Sequence, residues 1–362
     1  MEKWHISKTY CHTGNDIKNI LHLDNIEIVE VNKVCQQYPM LISEYYLSLI
    51  DPNNPNDPIR KMAVPSSFEL EQSGDIDTSG EAQNTIFPGV QHKYKETLLI
   101  LSSNECFMYC RHCFRKRMIG LTNTEVAMQM DQIVSYIKQT PSINNVLISG
   151  GDSFFNTNSR IAEYLRMLTQ LKQLDFIRFG TRAPVVLPQR IYEDKELLDI
   201  LEQNCKKKQI YIITQFNHPN EITPKAMLAI KKLRETGAII KNQTVLLKEI
   251  NDSPEIIADL LSRLTAYGVI PYYIFQCRPV RGVLNHFQVP LKKGYQVIEQ
   301  AKAMQNGQGK CIRYVLSHPT GKIEIIGKKS IDQMIFKYHQ AKEKKNSGRI
   351  FIQKVTPDQC WI

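Results

Sequence analysis

Three of the nine cysteines in this 362-residue chain fall within one short segment, Cys106-Phe107-Met108-Tyr109-Cys110-Arg111-His112-Cys113. The spacing is C-x₃-C-x₂-C. Thiolates are soft ligands suited to iron–sulfur clusters and to zinc. Three on one loop can hold three corners of a [4Fe–4S] cubane and leave the fourth iron open to a small molecule. Zinc is the rival reading, but a structural zinc site uses four ligands, usually from two C-x₂-C-like pairs. His112 adjoins Cys113 and is poorly placed to be a fourth. Three unbound thiols are the remaining alternative. The other six cysteines (Cys11, Cys35, Cys205, Cys277, Cys311 and Cys360) are scattered, which argues against a disulfide framework in a chain this long.

Such a loop needs a scaffold, and the sequence supplies one from about residue 95 onward. Short apolar or β-branched runs read as strands at Thr97–Ser102, Asn145–Ser149, Phe176–Gly180, Gln209–Thr214, Ala238–Leu247 and Val269–Phe275. Amphipathic runs between them read as helices at Glu125–Gln139, Arg160–Leu174, Lys195–Lys207, Pro224–Thr236 and Pro254–Tyr267, with another at Leu291–Met304. Thr223-Pro224 and Asp252-Ser253-Pro254 are helix starts, a polar cap and then proline at the first helical position. Repeated β–α units predict an α/β fold, either a parallel barrel or a doubly wound sheet. Both gather ligands at the C-terminal ends of the strands. The unusual residues lie there: the cysteine loop, Gly150-Gly151-Asp152, Thr181-Arg182-Ala183-Pro184, Phe216-Asn217-His218-Pro219-Asn220-Glu221 and Gln276-Cys277-Arg278-Pro279. Lys241-Asn242-Gln243 lies within the fifth strand. Before residue 90 the chain reads as irregular, with helical stretches at Glu27–Gln37 and Ile42–Ile50 and a polar loop from Gly74 to Gly80.

The formal charge is +10, but the basic residues are spread along the chain, with short clusters only near Lys206 and Lys342. That predicts a solvated basic surface, or a pull on anionic substrates and cofactors, with no nucleic-acid partner. No apolar run approaches the roughly 20 residues needed to span a bilayer, and the first ten residues lack the apolar core of a secretory signal. A cytoplasmic protein with no membrane partner is expected.

The cysteine spacing, with the aromatic Tyr109 before the second cysteine, resembles the signature of the radical S-adenosylmethionine enzymes. The resemblance narrows when further motifs are added. Cys106 to Arg117, Leu147-Ile148-Ser149-Gly150-Gly151-Asp152, Pro184-Val185-Val186-Leu187-Pro188-Gln189-Arg190, Phe216 to Glu221 and Asn242-Gln243-Thr244-Val245-Leu246-Leu247 are similar, in order, to the lysine 2,3-aminomutase family. The likeness runs from about Asp57 to Lys322. It implies a partial (β/α)6 barrel at 91–310, an N-terminal helical or irregular extension at 1–90 and a C-terminal segment at 311–362. It also implies three cofactors: the cluster, S-adenosylmethionine and pyridoxal 5′-phosphate. A 5′-deoxyadenosyl radical would take a β-hydrogen from an amino acid held on pyridoxal phosphate, and nitrogen would move from C2 to C3. The cofactors carry the hard chemistry; the protein positions and shields them. A flavodoxin- or ferredoxin-type reductant is the expected partner.

Carried over residue by residue, the resemblance places Gly150, Gly151 and Asp152 along S-adenosylmethionine, with Asp152 a candidate for its ammonium and Gln243 a further contact. An ordinary tight turn is the alternative for the glycines. Lys322, in Gly321-Lys322 after a shortened glycine turn, matches the lysine that carries pyridoxal phosphate; composition alone would read it as a surface lysine. Lys93 matches a cation facing the cofactor's phosphate, without the fork of an arginine. Arg115 matches the arginine for the substrate carboxylate, the alternative being a basic patch with Arg111, Lys116 and Arg117.

Two departures bear on the substrate. The family's lysine enzymes clamp the distal ammonium with two aspartates. Arg278 stands at one of these positions, and Ser317-His318 occupies the other. An arginine repels a lysine ammonium in a water-poor site, so a distal carboxylate or an uncharged side chain fits better. Arg278 could instead pair internally, for example with Glu221. The family's zinc ligands are missing too: Ser253 replaces the first cysteine, and only Cys360 lies near the end. No structural zinc is expected. The resemblance does not carry over the family's tetramer, and a homo-oligomer stays open. Lysine, free or protein-attached, as the substrate, a radical enzyme without pyridoxal phosphate, and a simple electron carrier are the competing functions.

Overall fold

The computed structural model describes residues 4, 10–121, 124–127 and 129–362. Its centre is one twelve-stranded sheet whose strands follow one another in chain order. We number them β1 (Thr85–Phe87), β2 (Val90–Tyr94), β3 (Thr97–Leu101), β4 (Asn145–Ser149), β5 (Phe176–Gly180), β6 (Gln209–Thr214), β7 (Ile239–Leu246), β8 (Ile270–Gln276), β9 (Arg313–His318), β10 (Gly321–Lys328), β11 (Gln333–Ala341) and β12 (Ile350–Lys354). Strands β3 to β9 are mutually parallel. Antiparallel β1–β2 flanks them on one side and antiparallel β10–β12 on the other.

Six of the parallel strands coincide, within one or two residues, with the six runs expected from sequence. The helices α1 (Asn25–Gln37), α2 (Met130–Gln139), α3 (Asn158–Leu168), α4 (Lys195–Cys205), α5 (Pro224–Glu235), α6 (Pro254–Ala266) and α7 (Leu291–Ala303) also fall where periodicity places them. Their starts are chemically explicit. Asp24, Thr157, Asp194 and Thr223 each accept a hydrogen bond from a backbone N–H in the first turn, supplying partners to otherwise orphaned donors. Helix α2 begins five residues later than expected and α3 ends six residues earlier, at Leu168; residues 122, 123 and 128 before α2 lie outside the described set. Ile42–Ile50 is not one helix: Ile42–Ser43 pairs with Tyr10–Cys11, and the Ser43 hydroxyl then caps a single turn at Glu44–Leu47.

The C-terminal segment differs most from expectation. It holds a seventh parallel strand, β9, and a three-stranded antiparallel layer, none of which the sequence reading marked as strands. Alternating burial along β10 and β11 puts Ile323, Ile325, Met334, Phe336 and Tyr338 into a second apolar core with α6 and α7. The short polar turn Pro319-Thr320-Gly321 hid this hairpin in the sequence.

Alternation also explains how the parallel strands can be both core and site. Successive side chains point to opposite faces. Leu98, Ile100, Val146, Ile148, Ile177 and Phe179 pack away from the cavity into the main core, while Leu99, Leu147, Ser149, Arg178 and Gly180 line it. The sheet curves enough for its flanks to meet, because Lys93 on β2 donates to the carbonyl of His318 at the end of β9 at 2.6 Å.

The N-terminal segment is built into this core. Glu69 is fully buried and accepts from Arg111 at 2.5 Å and from Lys116 at 2.5 Å, both cations of the cysteine loop. Removing one partner of such a set strands the opposite charges without water. Glu69→Gln should therefore lower the stability of the iron-free chain by about 3–5 kcal/mol, read as a shift of the urea unfolding midpoint.

Candidate active site

One cavity of about 570 Å³ opens inside the curved sheet and collects nearly every residue singled out from sequence. Cys106, Cys110 and Cys113 line one end, on the loop that follows β3. The loop is held at close quarters by the glycine turn after β4. Gly150 adopts φ +124°, and a Cβ there would lie 2.3 Å from the Ser103 carbonyl oxygen; one on Gly151 would lie 2.2 Å from that of Glu105. Only glycine permits this approach. It is used in backbone bonds from Gly151 to Ser103 (2.6 Å) and from Asp152 to Glu105 (2.8 Å).

Asp152 lines the cavity but is already engaged. Its carboxylate accepts from the Phe154 amide at 2.9 Å and the Arg182 amide at 2.7 Å, which fixes the turn after β5. Burial raises its pKa. Gln243 projects from β7 into the same space.

The three thiols fit a metal cluster. Burial, then Asp152 and the neighbouring thiols, push Cys106 up, and burial with Cys110 pushes Cys113 up to about 11. Three adjacent thiolates therefore require a compensating positive centre, which iron supplies. A guanidinium assists, since Arg182 donates to Cys110 Sγ at 2.6 Å while its other nitrogen holds Glu221 at 2.6 Å.

Arg115 is also in the cavity and already paired. Its Nε donates to Glu81 at 2.8 Å and Nη1 to the Gly150 carbonyl at 3.0 Å. Glu81 in turn holds Arg117 at 3.1 Å. Arg278 is different. It donates to the Ser317 hydroxyl at 2.6 Å and lies 4.2 Å over the Phe114 ring, and its buried Nη1 has no partner. An internal pair with Glu221 is not formed, because Glu221 is bound by Arg182 and by the Tyr46 hydroxyl at 2.6 Å. Burial pushes Arg278 down to about 10, so it stays protonated at neutral pH.

Lys322 is no surface lysine. It stands on β10 facing the cavity, with Nζ 4.2 Å from the Tyr273 ring, and burial, then Arg178, Lys93 and Arg278, push it down to about 7. Lys93 donates only to carbonyls, those of His318 and Ser79, and burial pushes it to about 7 as well. A half-buried, partly neutral amine is suited to carbonyl condensation, so Lys322 fits pyridoxal phosphate. Sequence reasoning did not single out Glu69, Glu81 or Arg178. The acids sit in segments without periodicity. Arg178 could have been noticed as a charge in the middle of a buried parallel strand.

A parallel α/β scaffold with three thiols at the strand ends of one cavity is the arrangement of a radical S-adenosylmethionine enzyme. The chain is 37% identical over 357 residues to a provisionally named L-lysine 2,3-aminomutase of Aquifex aeolicus, covering 96% of this chain and 95% of that one. It is 36% identical over 323 residues to the L-lysine 2,3-aminomutase of Clostridium subterminale (88% and 76%). It is 34% identical over 321 residues to the glutamate 2,3-aminomutase of Clostridioides difficile (88% and 74%). No protein-family model matches. Among solved structures, a radical S-adenosylmethionine methyltransferase from Sphaerobacter thermophilus aligns over 62% of this chain and 68% of its own, with TM-score 0.41 and 14% identity. Sequence kinship is what decides: this chain belongs to the lysine 2,3-aminomutase family of radical S-adenosylmethionine isomerases. No helix among the described residues is long and apolar enough to cross a membrane.

The position of Lys322 generates a prediction. Below about pH 7 it is an ammonium and above it a nucleophilic amine. Its modification by a small amine-selective reagent, followed by mass spectrometry, should rise through pH 7 and level off, while exposed lysines keep gaining reactivity toward pH 10.

Proposed function

We propose that this enzyme is a pyridoxal phosphate-dependent 2,3-aminomutase whose substrate is an amino acid with a distal carboxylate or an uncharged side chain. In this reading the curved sheet is a partial (β/α)6 barrel and the β9–β10 hairpin carries the cofactor lysine. The observation behind it is a single cavity lined by three cysteines at one end, by half-buried Lys322, and by Arg278 with an unpartnered nitrogen.

Cys106, Cys110 and Cys113 would hold the cluster, with Gly150, Gly151, Asp152 and Gln243 beside S-adenosylmethionine. Lys322 would hold pyridoxal phosphate. When bound, these groups supply a one-electron hydrogen abstraction and a carbonyl that carries the migrating nitrogen. The chain's own task is to bind, orient and exclude water. The close packing of the glycine turn against the cysteine loop would hold the residues for the cluster and for S-adenosylmethionine side by side. Arg115 would meet the substrate α-carboxylate, with Glu81 orienting its fork until then. Arg278, lacking an acid partner, would meet the far end of the substrate.

Lysine as the substrate is the second reading, supported by the names of most relatives. Placing its distal ammonium against Arg278 opposes like charges in a desolvated site. Reduced enzyme assayed with lysine, glutamate, aspartate and uncharged amino acids should turn lysine over on the order of 100-fold more slowly than the best substrate. Lysine turnover equal to the best overturns the substrate assignment. Lys322→Ala should abolish the visible absorbance of lysine-bound pyridoxal phosphate and leave the iron content unchanged. Unchanged absorbance in that variant overturns the role of Lys322.

A further inference from the structure

Arg182, in the turn after β5, reaches the sulfur of Cys110 and is held there on every side. Its Nη1 donates to Cys110 Sγ at 2.6 Å, its Nη2 to Glu221 Oε1 at 2.6 Å and its Nε to the Gln215 carbonyl at 3.2 Å. Its backbone amide is tied to Asp152 at 2.7 Å. The Tyr46 ring lies 5.7 Å from the guanidinium. The head therefore has little freedom to swing away from the sulfur.

Glu221 is fixed as firmly. It is fully buried, and four donors converge on its carboxylate. Oε1 takes Arg182 and the hydroxyl of buried Tyr46 at 2.6 Å, and Oε2 takes the amides of Asn217 at 2.5 Å and His218 at 3.0 Å. A buried ion pair adds little net stability compared with an apolar filling, so its direction carries the meaning. The positive end touches the cysteine sulfur, and the negative end lies on the far side of the guanidinium. An iron–sulfur cluster gains negative charge on reduction. N–H donors to its sulfurs and positive charge beside them stabilise that state and raise the potential. A charge-assisted donor does so about twice as strongly as a neutral one. Coulomb energy falls with distance, so the near charge of Arg182 outweighs the more remote Glu221, which trims its effect.

We propose that Arg182 and Glu221 form an oriented ion pair that sets the reduction potential of the cluster, Arg182 raising it through the Cys110 sulfur and Glu221 limiting the rise. This rests on the [4Fe–4S] cluster assigned to Cys106, Cys110 and Cys113. Arg182 acts through Cys110, and Glu221 and Tyr46 are positioning residues behind it. The cluster must accept one electron from an external carrier and pass it to S-adenosylmethionine. A higher potential eases the first transfer and burdens the second, and the pair sets the balance between them.

The test is a redox titration of the anaerobically reconstituted full chain, followed by the EPR signal of the reduced cluster. No S-adenosylmethionine or amino acid is added, so the readout is independent of turnover. Arg182→Gln, at wild-type iron content, should lower the midpoint potential. The ratio of reduced to oxidised cluster at the wild-type midpoint should fall about tenfold, a shift of about 59 mV for a one-electron couple. Arg182→Lys, which keeps the charge and loses the fork, should fall between the two. Glu221→Gln should move the midpoint upward, because the opposing charge is gone while Arg182 remains on the sulfur. A pair that merely braced the cysteine loop would shift both variants the same way or neither. An unchanged midpoint in Arg182→Gln, or a downward shift in Glu221→Gln, overturns the proposal. If Arg182→Gln takes up no iron, Glu221→Gln decides alone, and a midpoint at or below that of the wild type counts against the pair. A wild type that reconstitutes no four-iron cluster overturns the cluster reading itself, and this inference with it.

Discussion

Two carboxylates from the N-terminal segment hold four cations of the cysteine loop, and the geometry of the site depends on that exchange. Glu69 binds Arg111 and Lys116; Glu81 binds Arg115 and Arg117. All of these contacts are buried or nearly so, in surroundings where an unmatched charge is costly. The loop has little regular secondary structure of its own to fix three thiols. Its shape is imposed by acids delivered from 34 to 47 residues upstream and by the glycine turn packed behind it.

Using those acids on the loop has an electrical consequence. Lys93, Arg178, Arg278 and Lys322 remain in or beside the cavity, and none has an ion-pair partner among the described residues. The cavity wall therefore carries unpaired positive charge from these side chains, and in the proposed reading the thiolates of a bound cluster would add negative charge at the cysteine end. A cavity polarised in this way favours anionic ligands and keeps Lys322 nucleophilic near neutrality. Arg278 and Arg178 contribute through the same physics, one beside Ser317 and one toward the strand starts.

Much of the scaffold was legible because strand and helix periodicities differ. Thr97–Leu101, Asn145–Ser149 and Phe176–Gly180 stand within a residue of where alternation and β-branching place them. The rule that ligands gather beyond strand ends found the cysteine loop, Gly150-Gly151-Asp152 and Arg278. The same rule passed over Arg178, which sits inside a strand and is revealed by the face it points to. The hairpin that presents Lys322 was hidden by its short polar turn, and its strands are stabilised by a core shared with α6 and α7, which are distant in sequence.

The sequence by itself determined the spacing of Cys106, Cys110 and Cys113 on one loop, the order of the β–α units and the kinship with an aminomutase family. These are properties of residue type and spacing, and they survive without coordinates. Tertiary structure alone decided which charges are matched. Whether Arg115 has Glu81, whether Glu221 goes to Arg182 or Arg278, and whether Lys322 is a buried amine or a surface cation depend on segments that meet only when the sheet curves. Coulombic and desolvation energies are set by distance and burial, and neither is written along the chain.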